Sequence, residues 1–571
     1  MRKNIAIIFI LFNAIKAQEP LVEISQGVLR GTVLVNRDGG NFYGFRSIPY
    51  AQPPLNELRF KAPVPAGGWE GIRDAADDPP VCTQSLAGLF GQEDCLYVNV
   101  FIPELPSMNS TKKPVMAYIH GGGFTTGGGT SSLAGPAFLM TKEVILVTFQ
   151  YRLGVFGFID FEDPELGVSG NAGMKDQVLA LKWIKENIAK FGGDPDNILI
   201  FGTSAGGLFS KVIGQSGVAL APSLTGYGGS NTGVAFAEHL GLQTANLTET
   251  LSTLRELSAA ELLTAEESIP ANSSYFPGPN IELLSNEEAF LTQRPIDILL
   301  SGDYNDVLYL TGINNMEGLL YETSALAETG QSILIEDFAA FIHEDLEIAA
   351  YSEEASIVAE RIKEFYYGDT EPTRDDIIQA VDLWTDFLFG FPAYRAALEH
   401  SKKSADVYFY YFTVDTPLNL KNLYSSGVQE YPAYRAALEH SKKSADVYFY
   451  YFTVDTPLNL KNLYSSGVQE YPGASHTDEI TYMFETFFTP IIEDGSVEDL
   501  VIRSVVTLWT NFAIFGNPTP DDSLGFKWEP VSEDAFNYLD IGTYTNNAFV
   551  NPRAENFAFW SQIYDEFFPR R

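Results

Sequence analysis

Asn197-Ile198-Leu199-Ile200-Phe201-Gly202-Thr203-Ser204-Ala205-Gly206 carries the reading of this chain. An apolar run of strand length ends in Gly-x-Ser-x-Gly, a sharp turn that leaves a serine hydroxyl exposed at its tip. The turn is crowded, and a side chain on either flank would clash, hence the glycines. The pentad alone is weak evidence, because small residues recur in many loops. Its companions strengthen it. Upstream, 120–124 reads His-Gly-Gly-Gly-Phe, directly after the strand-like 115–119. Downstream, Glu317 lies in Gly-Ile-Asn-Asn-Met-Glu-Gly (312–318), and His476 in Gly-Ala-Ser-His-Thr-Asp-Glu (473–479). Serine, acid and histidine follow in an order known for nucleophile, orienting acid and base.

These residue types suit acyl transfer. A serine hydroxyl is a poor nucleophile until an imidazole takes its proton. The imidazole in turn needs a carboxylate to fix its tautomer and stabilise its charged form. Asp303, Asp306 and Glu322 compete with Glu317, but Glu317 stands in a glycine-flanked turn between the strand-like 308–310 and a helix. Of the six histidines, His343 reads as a solvated residue among acids. His239, His400 and His440 read as surface helix positions, and His120 as structural. His476, in a late loop of small residues, is the candidate base.

Composition narrows the function. The 571 residues are 45% hydrophobic and 13% aromatic, enough for a large core, and the net charge is −38. Such an acidic chain repels phosphate backbones, so a nucleic-acid partner is not expected. Met1-Arg2-Lys3, then the apolar 5–12, then Ala14 and Ala17, read as a signal peptide, 1–17, too short to span a bilayer. The mature protein is expected to be secreted, with no membrane anchor. Asn109, Asn246 and Asn272 head glycosylation triplets. In an exported chain the only two cysteines, Cys82 and Cys95, are expected to be bridged.

Short apolar strands (115–119, 144–149, 198–201) alternate with helical patterns. In 176–191, Val178, Leu181, Ile184 and Ile188 have helical spacing. This alternation predicts an α/β fold with one large, doubly wound, mostly parallel sheet and helices on both faces. Residues 392–431 recur letter for letter as 432–471. A repeat fold would need more units and would show drift. A recent duplication or a misassembled gene explains the pair, the second being favoured, and one copy is expected to be surplus to the sheet.

The longer motifs, Ile-Pro-Tyr-Ala-Gln-Pro-Pro (48–54), Glu-Asp-Cys-Leu-Tyr-Val-Asn-Val (93–100), Gly-Asn-Ala-Gly-Met-Lys-Asp-Gln (170–177) and Phe-Gly-Gly-Asp-Pro (191–195), with the elbow and the histidine loop, resemble type-B carboxylesterases. This is the cholinesterase-like family of α/β-hydrolases, and the resemblance, closest in kind to insect esterases, covers 22–569. It implies a carboxylic ester hydrolase with a Ser204, Glu317, His476 triad and an acyl-serine intermediate. It further implies oxyanion donors at Gly122, Gly123 and Ala205, a Cys82–Cys95 disulfide, a buried Arg152–Asp176 ion pair, a small-molecule ester as substrate, and no cofactor or metal. A non-catalytic adhesion protein on the same fold is the alternative.

The chain departs from the family at three places. Thr203 stands where most members carry Glu, and where juvenile hormone esterases carry Gln. The loop 83–94 has no Trp to hold a quaternary ammonium by cation–π attraction, so choline esters are not expected substrates. Finally, Leu208-Phe209 and Gln215-Ser216-Gly217 follow the elbow without the intervening helix and loop. Parallel strands ordinarily need a crossover of about a dozen residues or more, so elbow helix and next strand are not both expected to form. Ala205, Leu208, Phe209, Val212 and Ile213 make a helical stripe, so the segment could become the elbow helix at the expense of a strand at Val212 to Gln215; either way the sheet beside the nucleophile is expected to be damaged and the chain weak or inactive.

Overall fold

In the computed structural model the described residues are 19–568, except 86–88, 108–109, 207–211, 223–230, 271–274, 276, 283–288, 404–405, 415–473, 488, 490, 533–534 and 543–545. Residues 1–17, Asn109, Asn272 and the second copy of the repeat lie outside them.

An 11-stranded sheet forms the centre. Its strands are β1 (Thr32–Val35), β2 (Asn41–Pro49), β3 (Tyr97–Ile102), β4 (Lys113–Ile119), β5 (Ile145–Phe149), β6 (Gly193–Thr203), β7 (Val212–Gln215), β8 (Tyr309–Asn314), β9 (Val407–Phe412), β10 (Asn537–Ile541) and β11 (Asn546–Val550). The spatial order is β11-β10-β9-β8-β7-β6-β4-β5-β3-β2-β1. From β5 through β4 and β6 to β10 neighbouring strands run parallel, and both margins are antiparallel. This is the expected doubly wound, mostly parallel sheet.

Strand periodicity sends alternate residues to opposite faces. Met116 and Tyr118 of β4 enter a core with Val501, Val505 and Trp509 of the helix Val497–Phe515. Val115, Ala117 and Ile119 enter the opposite core with Met174, Ala180 and Ile184 of the helix Ala172–Asn187. Near-continuous apolar strands are what burial on both faces requires. The first copy of the repeat supplies the helix Phe391–Ser401 and strand β9, which lies between β8 and β10.

The segment after the elbow corrects one expectation. Val212 and Ile213 belong to a strand, not to an elbow helix, and β7 pairs with β6 from Ile200↔Val212 to Thr203↔Gln215 and with β8 on its other edge. The sheet is continuous beside the elbow. The connection is short because the paired stretch is short.

Candidate active site

Ser204 lies at the C-terminal end of β6, where ligands bind in open α/β sheets. Its φ is 53°, a left-handed conformation that a non-glycine residue adopts only under constraint. A Cβ at Gly202 would run into the Gly206 carbonyl, and one at Gly206 into the Ile119 carbonyl. The two flanking glycines therefore answer a close backbone approach. Ser204 and Ala205 begin a single 3₁₀ turn, Ser204–Gly206.

The glycine-rich loop after β4 closes over this turn. A Cβ placed on Gly121 would come within 3.1 Å of Ser204 Cβ. The Gly122 carbonyl accepts from Thr125 and Thr126 N–H, both at 3.0 Å, which folds the loop back on itself. The Gly122 and Gly123 N–H groups donate to no protein acceptor among the described residues. His120 is buried, stacked on Tyr151 with ring centres 4.3 Å apart, and its Nδ1 lies 2.9 Å from the Gly121 carbonyl. Burial lowers its pKa to about 4, so it stays neutral at neutral pH.

Glu317 and His476 come together from 159 residues apart, with His476 Nδ1 donating to Glu317 Oε2 at 2.6 Å. Glu317 is fully buried, and its other oxygen accepts from the Asn314 backbone N–H at 2.7 Å. Acid turn and histidine loop are laced together. Met316 N–H donates to the Ala474 carbonyl at 2.9 Å, Ala474 N–H to Asn315 Oδ1 at 2.7 Å, and Asn314 Nδ2 to the Ser475 carbonyl at 2.6 Å. Asp303 and Asp306 are exposed, and Glu322 accepts instead from Ile333 N–H at 2.8 Å. No hydrogen bond joins Ser204 Oγ to His476 among the described residues; such contacts often tighten only once substrate is bound.

Of the remaining histidines, two differ from expectation, His343 and His400. His239 is exposed. His343 is buried, not solvated, among Phe387, Trp560 and Tyr564 at 4.8, 5.4 and 5.5 Å between ring centres, and burial lowers its pKa to about 3. Its local sequence is acidic, but its neighbours in space come from distant apolar helices. His400 is half-buried between Tyr304 and Tyr309, and His440 lies outside the described residues.

Sequence reasoning passed over two side chains at this site. Phe389, in the π-helical turn Thr385–Gly390, lies 4.5 Å from the His476 ring centre. Glu479, also fully buried, accepts from Thr203 and Asn314. The available signals were a packed helix with an extra residue per turn, undetectable from periodicity, and an acid three residues after a histidine.

Around the site, Cys82 and Cys95 form the expected disulfide. Arg152 grips Asp176 through two bonds, Nε to Oδ2 at 2.7 Å and Nη2 to Oδ1 at 2.6 Å, with both side chains buried. No helix among the described residues is long and apolar enough to cross a membrane.

The carboxylesterase family model matches residues 18–422 and 417–560. A juvenile hormone esterase of Tribolium castaneum is 31% identical over 89% of this chain and 85% of its own length. A carboxylic ester hydrolase of Bombus ignitus is 29% identical over 97% of this chain and 96% of its own. The crystal structure of juvenile hormone esterase from Manduca sexta, with OTFP covalently attached, superposes with a TM-score of 0.75 at 25% identity, covering 96% of this chain and all of that one. The chain belongs to the carboxylesterase family.

Proposed function

We propose that this carboxylesterase-family chain hydrolyses small-molecule carboxylic esters through an acyl-serine intermediate, with Ser204 as nucleophile, His476 as general base and Glu317 as its orienting acid. One observation carries the reading: the 2.6 Å bond between the buried Glu317 carboxylate and His476 Nδ1, beside a serine held at positive φ. An acceptor at Nδ1 keeps the proton there and leaves Nε2 as the basic nitrogen. Ser204 Oγ attacks the ester carbonyl carbon while Nε2 takes its proton. The tetrahedral oxyanion is received by the Gly122, Gly123 and Ala205 N–H groups. Each such donor typically stabilises the transition state by roughly 2.7–4 kcal/mol. Collapse expels the alkoxide, which takes the proton from His476. Water then attacks the acyl-serine by the same route, releasing the acid and restoring Ser204. No step calls for a metal or cofactor.

The substrate is an uncharged or anionic ester rather than a choline ester, because residues 83–94 contain no Trp. We read 1–17 as a cleaved leader, 22–569 as one catalytic unit, and the product as a secreted glycoprotein. The exposed Asn246 side chain, which caps the helix Leu247–Glu256, is a candidate glycan acceptor. The chain's acidity disfavours a nucleic-acid partner. Labelling with a serine-reactive organophosphate tests the function. One adduct per chain is expected, mapped to Ser204, together with turnover of a short chromogenic ester that Ser204→Ala abolishes. Full turnover in that variant would end the serine-hydrolase reading.

A further inference from the structure

The oxyanion donors proposed at Gly122 and Gly123 sit in a glycine-rich loop, whose backbone is free to adopt many shapes unless something holds it. Its entry is set by β4 and its exit by Gly129, whose N–H donates to Gln150 Oε1 at 3.1 Å. Between these points the chain doubles back. Gly127 has φ 112°, and a Cβ there would run into the Gly121 carbonyl and His120 Nδ1. A Cβ on Gly122 would run into the Thr126 carbonyl, and one on Gly121 would meet the Thr203 carbonyl and Ser204 Cβ. Residues 121–127 thus form a closed ring of backbone resting on the elbow, and Gly127 is where it closes.

One distant side chain grips that point. Gly127 N–H donates to Gln84 Oε1 at 2.9 Å, and Gln84 Nε2 donates to the Gly127 carbonyl at 2.8 Å and to the Cys82 carbonyl at 3.0 Å. Gln84 is 3% exposed, and its amide spends both N–H groups and its oxygen on these bonds. Among the described residues, the other bonds to the ring from outside it come from its neighbour His120 and from the Gly154 N–H, which donates to the Phe124 carbonyl at 2.7 Å. Gln84 is held in turn. It pairs with Phe90 in a short hairpin, while Thr83 N–H donates to the Gln92 carbonyl at 3.1 Å and Gln92 N–H to the Val81 carbonyl at 3.0 Å. These bonds join the two arms of the cysteine loop independently of the sulfur bridge.

We propose that Gln84 is a positioning residue which, by gripping both backbone groups of Gly127, keeps the glycine ring closed and so sets the Gly122 and Gly123 N–H groups over Ser204. This rests on the acyl-serine reading, since the oxyanion is what those groups receive. Gln84 itself touches no reacting atom. Its loss should weaken binding of the tetrahedral state while leaving ground-state binding alone, because the donors are needed only once the oxyanion forms.

The test compares the unmodified chain with Gln84→Met, which fills similar space without the hydrogen bonds, and with Gln84→Glu. The probe is a trifluoromethyl ketone, which Ser204 attacks to give a tetrahedral adduct whose oxyanion needs the same donors. A misplacement of about 1 Å can cost about a hundredfold in rate. Gln84→Met should therefore lose about 10- to 100-fold in kcat with KM within about twofold, and lose ketone affinity by the same factor, as expected where only the transition state is affected. It should keep one organophosphate site per chain. Gln84→Glu, once protonated, again offers one donor and one acceptor, so its activity relative to the unmodified chain should rise as pH falls. Unchanged kcat and ketone affinity in folded Gln84→Met would overturn the proposal. Should that variant not fold, Gln84→Glu decides, with relative activity flat across pH refuting the grip. If the unmodified chain takes up no organophosphate, the acyl-serine reading fails instead. Amide exchange then decides the grip alone: it should accelerate across 122–127 in Gln84→Met with the helix Val497–Phe515 unchanged, and equal protection of 122–127 would refute it.

Discussion

Two buried carboxylates on opposite sides of the elbow make a useful contrast. Asp176 and Glu317 are both fully shielded from water, and both bind a basic side chain at 2.6 Å. Asp176 meets a guanidinium that is always charged and grips it through both oxygens. It also accepts from the Arg152 backbone N–H at 3.0 Å, so three bonds fix the carboxylate in place. Glu317 meets an imidazole, which can be neutral or charged, through one oxygen, while its other oxygen holds its own turn. The first arrangement holds loops together. In the proposed mechanism the second would stabilise a charge that comes and goes during turnover. Similar burial thus serves structure in one place and chemistry in the other, and the difference lies in the partner.

The largest expected effect tests the chemical half of this contrast. Glu317→Gln should lower kcat by about 10⁴-fold, the loss typical when the orienting acid of a serine hydrolase is neutralised. Its melting temperature should stay near that of the unmodified chain. A variant with near-normal turnover would hand the orienting role to another acid.

Asp176→Asn tests the structural half. Removing one partner strands a buried charge and should cost about 3–5 kcal/mol of stability, read from denaturant unfolding. Activity should fall only in step with the folded fraction. Replacing Arg152 and Asp176 together by apolar residues of similar size should recover much of the loss. A large loss of kcat in fully folded Asp176→Asn would erase the distinction between the two carboxylates.

Next in size is the disulfide. Cys82→Ser with Cys95→Ser opens a loop with a sequence separation of 13, worth about 3 kcal/mol at most in the chain-entropy model. The bridge lies in the same core as Tyr151 and Leu153, beside Arg152. It should therefore add to the stability of the Asp176 side and leave the acylation rate of Ser204 unchanged. A slowed acylation rate would tie the bridge to the chemical side.

The smallest effect concerns a histidine that makes no ion pair with a carboxylate among the described residues and has only the Arg395 cation nearby. Burial depresses the His343 pKa from 6.5 to about 3. In the unfolded chain it protonates first, so the stability it contributes is full above pH 6.5 and is lost as pH falls toward about 3. His343→Phe should flatten the acid-side decline of stability across that window without changing turnover at neutral pH. An unchanged acid limb would show that other groups govern it.

Much of this was legible in the chain. Gly-x-Ser-x-Gly after an apolar run announces a turn that only glycine flanks permit, and the strands on either side have no polar face, as double burial demands. The longer motifs led to the correct family because they encode local geometry such as caps, tight turns and the cysteine loop. His343 was misread because an acidic stretch of sequence says nothing about which helices fold over it. The segment after the elbow was left between two outcomes because a helical stripe and a short buried strand use the same apolar residues. Pairing with β6 and β8 chose between them, and that pairing is a property of the sheet.

Sequence by itself determined the fold class, the elbow and the order of its companions, since each depends on neighbours within a few residues and on packing rules shared by all sheets. Tertiary structure alone decided where Phe389 packs and what Glu479 holds. Thr203 and Glu479 are 276 residues apart in the chain, and no local pattern carries a contact of that span. Such contacts exist only once β6, β8 and the histidine loop converge, because strand ends in a parallel sheet gather distant segments at one edge.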